Sequence, residues 1–264
     1  MPLSLGEIVE AVAATRIHTL YQPVVRLGDR APVSLEVLAR LNHPVRGTLP
    51  PDLFVPQIEE AGLAFALTRA VVASAFEDWR DGGLERLDLS LALNFPLDVL
   101  LHPAALVWLD ERREAARIPA ERISLELTES RPVTDVADLA HAIAGLRDAG
   151  YSLAIDDVGP GVRQPRNLLG LGFSVLKLDK GLVSRSRDDA AMASLLRTTV
   201  ATAHAAALVV VAEGVEDQEC WQRMLAAGVE QAQGFLIAHP MPASAVAGWH
   251  ESWRAGIAPS APTI

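Results

Sequence analysis

Cysteine is almost absent: the 264-residue chain holds one, Cys220. That excludes an intramolecular disulfide and a thiolate zinc cluster, and makes the cytoplasm the expected compartment. Positive charge is in deficit. Lys and Arg number 23 against 33 Asp and Glu, a formal net charge of −10. Such a chain does not attract a nucleic-acid polymer or an anionic membrane through its overall field, so any anion it binds must meet local cations, either side chains or metals. Long apolar runs are missing as well. The longest, Ala205 to Ala212, is far shorter than the ~20 residues of a spanning helix, so no membrane insertion is expected. The N-terminus carries Glu7 and Glu10 and lacks the basic start of a signal peptide. What is present is half hydrophobic and 21% charged, which excludes general disorder. At about 150 residues per domain the length fits one large domain or two small ones. We expect a single domain over 1–255 and a flexible tail over 256–264, where Gly256-Ile-Ala-Pro-Ser-Ala-Pro-Thr-Ile264 has the composition of a frayed terminus.

Two apolar-rich runs, His18–Leu27 and Pro32–Leu41, flank Gly28-Asp29-Arg30 and predict an antiparallel hairpin. A helical pattern from Leu63 to Asp81 stops at Gly82-Gly83. Short apolar runs then alternate with amphipathic stretches. The runs are Leu87–Phe95, Ile123–Leu127, Tyr151–Ile155, Val175–Leu178 and Leu208–Ala212, with a weak one near Glu230–Gln233. The stretches between them include Val136–Asp148, Ala190–Ala206 and Gln218–Ala227. Alternating strands and helices predict a parallel sheet covered by helices. With the hairpin the strands number eight, which suits a closed (β/α)₈ barrel whose first strand runs against the others. An open doubly wound sheet is the competing topology. The charged stretch Asp110–Arg117 is read as a solvated helix face.

Polar residues collect where the predicted strands end. Glu36 and Arg40 lie on the second, Asn94 ends the third, and Glu126 sits on the fourth with Glu129 beyond it. The fifth ends in Asp156-Asp157, the sixth carries Lys177 and Asp179, the seventh ends at Glu213 and the eighth at Gln233. Barrel enzymes assemble active sites at this mouth, one or two residues per strand. Each residue also has a plain structural reading. An acidic residue after a strand commonly caps the next helix, Asn94 before Phe95-Pro96 suits a turn, and Lys177 suits a surface strand. Glu36 and Glu126 resist that reading, because each interrupts an apolar strand where an unpaired carboxylate is costly. Adjacent Asp156 and Asp157 repel one another, so a cation is expected nearby. Glu36, Asn94, Glu126 and Asp156 are hard oxygen donors suited to Mg²⁺ or Mn²⁺ rather than zinc, and Asp157 could complete a second site. Two such ions form a device for in-line phosphoryl displacement.

These residues resemble the EAL-domain phosphodiesterases, a family that cuts bacterial cyclic di-GMP to linear pGpG. The likeness runs from Tyr21-Gln-Pro-Val24 to Pro240-Met-Pro242. The signature glutamate motif stands here as Glu36-Val37-Leu38-Ala39-Arg40, with valine for the usual alanine. Further matching blocks are Leu93-Asn94-Phe95, Glu126-Leu-Thr-Glu129-Ser130, Ile155-Asp156-Asp157, Leu176-Lys177-Leu178-Asp179, Val211-Ala-Glu213-Gly-Val-Glu216 and Gln233-Gly-Phe235. The resemblance implies a modified (β/α)₈ barrel with an antiparallel first strand, and two divalent ions, Mg²⁺ or Mn²⁺. It implies that Glu36, Asn94, Glu126 and Asp156 hold one ion, and Asp156 and Asp157 the second. It implies that Lys177 contacts the attacking water, that Glu213 is a general base or an outer ligand of the second ion, and that Gln233 supports the water network. Gln22, Leu38, Arg40 and Asp179 would line the nucleotide pocket. A homodimer is implied. The chain is read as free-standing or as a catalytic piece, with an upstream sensory or cyclase domain or a partner supplying regulation in the second case.

One segment departs from the family. Where its members usually read Phe-Gly-Thr-Gly-Tyr-Ser-Ser, this chain has Val158-Gly-Pro-Gly-Val-Arg-Gln164. In the family Glu129 would anchor this loop, which couples the second ion to the dimer interface. The loop is expected to tune turnover independently of Gln22, Arg40 and Asp179. An active phosphodiesterase is one reading; a catalytically weak or inactive EAL domain that serves as a cyclic di-GMP receptor or protein-interaction module is the other. A Rossmann nucleotide fold has little support, because Gly170-Leu-Gly172 precedes a strand instead of following one.

Overall fold

The computed structural model describes residues 3, 5–13, 16–127, 136–160 and 166–256. Glu129, Gly161–Gln164 and the expected tail beyond Gly256 lie outside these described residues. Among the described residues there are nine strands: β1 (Ile17–Arg26), β2 (Pro32–His43), β3 (Gly47–Leu49), β4 (Ser90–Asn94), β5 (Ile123–Leu127), β6 (Ser152–Val158), β7 (Val175–Leu178), β8 (Val209–Ala212) and β9 (Gln231–Ala232). Around the barrel the order is β1, β9, β8, β7, β6, β5, β4, β2, and β2 closes back onto β1. β1 is antiparallel to both its neighbours, while the other seven run parallel. The barrel expectation therefore holds and the open sheet does not.

β3 was not expected. It lies antiparallel on the distal end of β2, with Leu41 opposite Leu49, and three residues carry too little pattern to stand out. Helices Leu5–Ala13, Val55–Glu60 and Ala243–Arg254 are further additions to the sequence reading. Among the described residues no helix is long and apolar enough to cross a membrane.

Strand alternation sorts the side chains into two layers. On β2, Leu35, Val37 and Leu41 join one apolar cluster between strands and helices, and so do Leu91, Leu93, Leu125, Leu153, Leu176 and Val210 on the following strands. The alternate residues face the barrel interior. Val24, Ala92, Ala154 and Val211 are buried there apart from that cluster. In register, Ala92 stands beside Glu36, Ala154 beside Glu126 and Val211 beside Lys177. Small residues next to long ones leave the interior room for the polar chains above.

The closed end is held by aromatics. Trp253 Nε1 donates to the Arg30 carbonyl at 2.7 Å, and the Arg30 guanidinium lies 4.6 Å from the Trp253 ring and 5.1 Å from Trp221. These contacts pin the β1–β2 turn. The stop at Gly82-Gly83 also holds, since Gly83 takes a left-handed φ of 77° just past helix Ala64–Asp81.

Candidate active site

The period-two rule sends Glu36, Asn94, Glu126, Asp156, Lys177, Glu213 and Gln233 inward from seven different strands or strand ends. Their centre is the Lys177 ammonium, 1% exposed. Its Nζ lies 2.7 Å from Glu213 Oε1, 2.8 Å from Glu126 Oε2, 3.2 Å from Asp156 Oδ1 and 3.6 Å from Glu36 Oε1. The surface-strand reading of Lys177 is thereby overturned. Glu36 is further tied by Gln233 Nε2, which donates to its Oε2 at 2.6 Å, and by Asn94 Nδ2, which donates to its Oε1 at 3.3 Å. Gln233 Nε2 also donates to Gln22 Oε1 at 3.0 Å, and Gln22 donates to the Ala238 carbonyl. Leu38 and Arg40 follow Glu36 on the same face toward the rim, and Arg40 Nη1 donates to the Ala39 carbonyl.

A β-bulge places the aspartate pair. Ile155 pairs with Leu176 and Val158 with Leu178, so Asp156 and Asp157 together stand opposite the single residue Lys177. Asp157 takes a left-handed φ of 56°, which aspartate tolerates better than most residues. Its backbone N–H donates to Asp156 Oδ1 at 2.9 Å. Carboxylate oxygens of Asp156, Asp157 and Glu213 all lie within 4.8 Å of one another.

Crowding of like charges shapes the protonation. Burial pushes Glu213 up to about 8 against the pull of Lys177. Lost hydration, then the neighbouring Asp156, raises Asp157 to about 6. Burial likewise lifts Glu126 well above the carboxylate range. Burial alone would lower Lys177, but Glu126, Glu36, Glu213 and Asp156 together hold it well above the usual ammonium value. Five carboxylates around one ammonium leave a formal charge of −4 when all are ionised, which two divalent cations would cancel. The donor set is all oxygen, as Mg²⁺ or Mn²⁺ prefers. Gln233 Oε1 is buried without a partner among the described residues, and turning the Asn94 amide would present its oxygen beside Glu36. The residues fit divalent ions of this kind.

Asp179 has a structural task that a general expectation for acidic residues after strands already covers: its Oδ1 accepts from Leu182 N at 3.0 Å and caps helix Lys180–Arg185. It also touches the departing loop. Its N–H donates to the Val158 carbonyl at 3.1 Å, and a Cβ on Gly159 would sit 2.8 Å from the Asp179 side chain. Asp179 is therefore not independent of the loop, because a shift at Val158–Pro160 reaches it directly.

Gly234 and Val215 lie in two of the matching blocks without a role assigned to them from the sequence. The two strand ends they follow are knitted together: Val215 N–H donates to the Gln233 carbonyl and Leu236 N–H to the Val215 carbonyl. A Cβ on Gly234 would lie 2.2 Å from the Val215 oxygen and 2.3 Å from its nitrogen. That backbone cannot swing aside as a side chain can. Gly234→Ala is expected to cost about 3 kcal/mol, lowering Tm by roughly 6–12 °C and loosening Gln233 from Glu36. A thermal melt within about 2 °C of the parent would show that the crossing can relax.

The EAL domain family profile matches residues 6–240. The chain is 29% identical over 249 residues to the oxygen sensor protein DosP of Escherichia coli, covering 92% of this chain and 30% of DosP. It is 29% identical over 239 residues to the cyclic di-GMP phosphodiesterase RocR of Pseudomonas aeruginosa, covering 90% of this chain and 61% of RocR. Among solved structures, the PaMucR phosphodiesterase in complex with c-di-GMP superposes with a TM-score of 0.84 at 28% identity, over 92% of this chain and 98% of that one. The chain spans about a third of the length of the first curated relatives it matches.

Proposed function

We propose that this chain, which belongs to the EAL domain family, hydrolyses cyclic di-GMP to linear pGpG. The observation that carries the reading is the Lys177 ammonium enclosed by Glu36, Glu126, Asp156 and Glu213, with the oxygen triplet of Asp156, Asp157 and Glu213 beside it. Glu36, Asn94, Glu126 and Asp156 would hold one divalent ion, and Asp156, Asp157 and Glu213 the other. Such ions, when bound, supply an activated water and neutralise charge on the phosphoryl oxygens. Lys177 Nζ, a donor with no acceptor capacity, orients the attacking water. Gln233, fixed to Glu36 and Gln22, keeps the strand ends at the spacing the phosphodiester needs. Leu38 and Arg40 offer an apolar surface and a cation to one nucleotide, and Asp179 meets the ligand across the barrel. The water oxygen bonds to phosphorus as the water gives up one proton, the bridging P–O3′ bond breaks, and the leaving O3′ takes up one proton in exchange, so that none is consumed overall.

With this function go a single domain over 1–255, a cytoplasmic location, a homodimer, and a sensory or cyclase domain elsewhere in the protein or on a partner. A receptor that binds cyclic di-GMP without cutting it is the second reading, favoured by the altered segment Val158–Gln164.

Incubation of purified protein with cyclic di-GMP, followed by chromatography, separates the two. Turnover to pGpG is expected with Mg²⁺ or Mn²⁺, and at least a hundredfold loss with excess chelator. Ca²⁺ is expected to inhibit, because its longer and looser coordination alters the spacing of the two ions. Undiminished hydrolysis in chelator would sink the two-ion mechanism, and saturable binding with no product in any metal would establish the receptor.

A further inference from the structure

Just beyond the polar cluster the chain exposes an aromatic ledge. Among the described residues, Phe235 is the one exposed phenylalanine, tyrosine or tryptophan, at 47%. Its ring stacks on the exposed His239 imidazole, with centroids 4.0 Å apart and planes 24° from parallel. The Lys180 ammonium lies 5.4 Å from the Phe235 centroid and pairs with Glu216 at 2.7 Å. A solvated phenylalanine ring gains nothing for folding from its exposed area. Yet this one is held at the rim by a rigid crossing, since Gly234 beside it presses on the Val215 backbone.

Topology tells what the ledge faces. In barrel order β7 lies four strands from β2 in either direction, so the two are diametrically opposed. Leu38 and Arg40 rise from β2 at one rim. Lys180 follows the end of β7 at the other, and the Phe235–His239 stack, which follows β9 two strands from β2, lies with the Phe235 centroid 5.4 Å from the Lys180 ammonium. The Lys177–carboxylate cluster lies between them. A ligand whose reactive phosphodiester sits over that cluster, and whose one base rests near Leu38 and Arg40, extends its second base toward Phe235 and His239.

We infer that Phe235 and His239 form a stacking platform for the second purine base of the dinucleotide, with Lys180 beside it to meet the acceptor edge of the base. This inference rests on the cyclic di-GMP reading above. Base–aromatic stacking depends on a flat π-face and persists with any aromatic ring, whereas an aliphatic side chain of similar area does not supply it.

The test is calorimetric titration of cyclic di-GMP in Ca²⁺, so that binding is read without turnover. Phe235→Ala and His239→Ala are each expected to raise Kd about tenfold. Phe235→Leu should behave like Phe235→Ala, and Phe235→Trp should stay within about threefold of the parent. Because Phe235 is exposed, all four variants should melt close to the parent; should one fail to fold, the remaining three carry the comparison. In Phe235→Trp the new indole should also be quenched by the nucleotide. Equal Kd across the four variants would overturn the platform while leaving the phosphodiesterase reading intact. Absence of saturable binding to the parent protein would overturn the reading beneath it.

Discussion

Glu36→Ala is expected to lower kcat for cyclic di-GMP by about 10³-fold or more while the barrel stays folded. Glu36 meets three of the cluster's members: Lys177 at 3.6 Å, Asn94 at 3.3 Å and Gln233 at 2.6 Å. Its loss deprives the proposed first ion of a charged ligand and frees two amides from a common acceptor. Folding gains as much as it loses. One carboxylate fewer competes for a single buried ammonium, so the repulsion that adds to burial in lifting Glu126 and Asp157 declines. The metal-free variant should melt at or above the parent temperature. Glu36→Gln separates charge from shape, since it keeps an acceptor for Gln233 and still removes the anionic ligand; it should be nearly as inactive. Turnover at the parent rate would show that Glu36 holds no ion.

Lys177→Ala should act in the opposite sense on stability. The change strips the one cation from a buried set of carboxylates, and breaking a buried ion pair commonly costs about 3–5 kcal/mol. For a chain of this size that lowers Tm by roughly 10 °C. The deficit should depend on pH in chelator. Burial pushes the Glu213 carboxyl from the ordinary carboxylate range up to about 8 in the folded state. A carboxyl whose folded value is raised binds more protons folded than unfolded between those limits, so stability falls as pH rises through them. Without Lys177 the fall should steepen, making the gap from the parent larger at pH 8 than at pH 5. Mg²⁺ or Mn²⁺ should recover part of the loss by supplying positive charge, while hydrolysis stays at least a hundredfold down because no donor orients the water. A variant melting within about 2 °C of the parent at pH 8 would refute the Lys177-centred account.

Local patterns carried much of the site. Glu36 within Val33-Ser-Leu-Glu-Val-Leu and Glu126 between Leu125 and Leu127 stood out because a carboxylate in an apolar strand calls for a partner. The stop at Gly82-Gly83, the limits of β5 and β7 and the helix Val136–Asp148 were equally readable, since caps and periodicities are short-range properties. Other features left no such trace. The two-residue strand β9 is too short for a period, although it closes the barrel. Asp179 looked the same whether it capped a helix or faced a ligand, and in the structure it does cap one.

By itself the sequence determined which residues of a regular strand share a face, because the alternation of side chains along a strand is a property of the backbone of each segment. It also determined that strands and helices alternate around a closed or open sheet, and that the chain holds more carboxylates than cations to match them. Only the tertiary structure decided that the sheet closes, since closure depends on β1 pairing with β2 and β9 across the whole chain. It alone decided that Asp156 and Asp157 stand together at the mouth. Simple alternation would send adjacent residues to opposite faces, and the bulge against Lys177 is a register slip between two strands. Lys177 could be a surface lysine or a buried hub by its local pattern. Four carboxylates arriving from four other strands or strand ends make it the hub, because charges far apart in the chain interact only once folding has brought them within a few ångströms in a poorly hydrated interior.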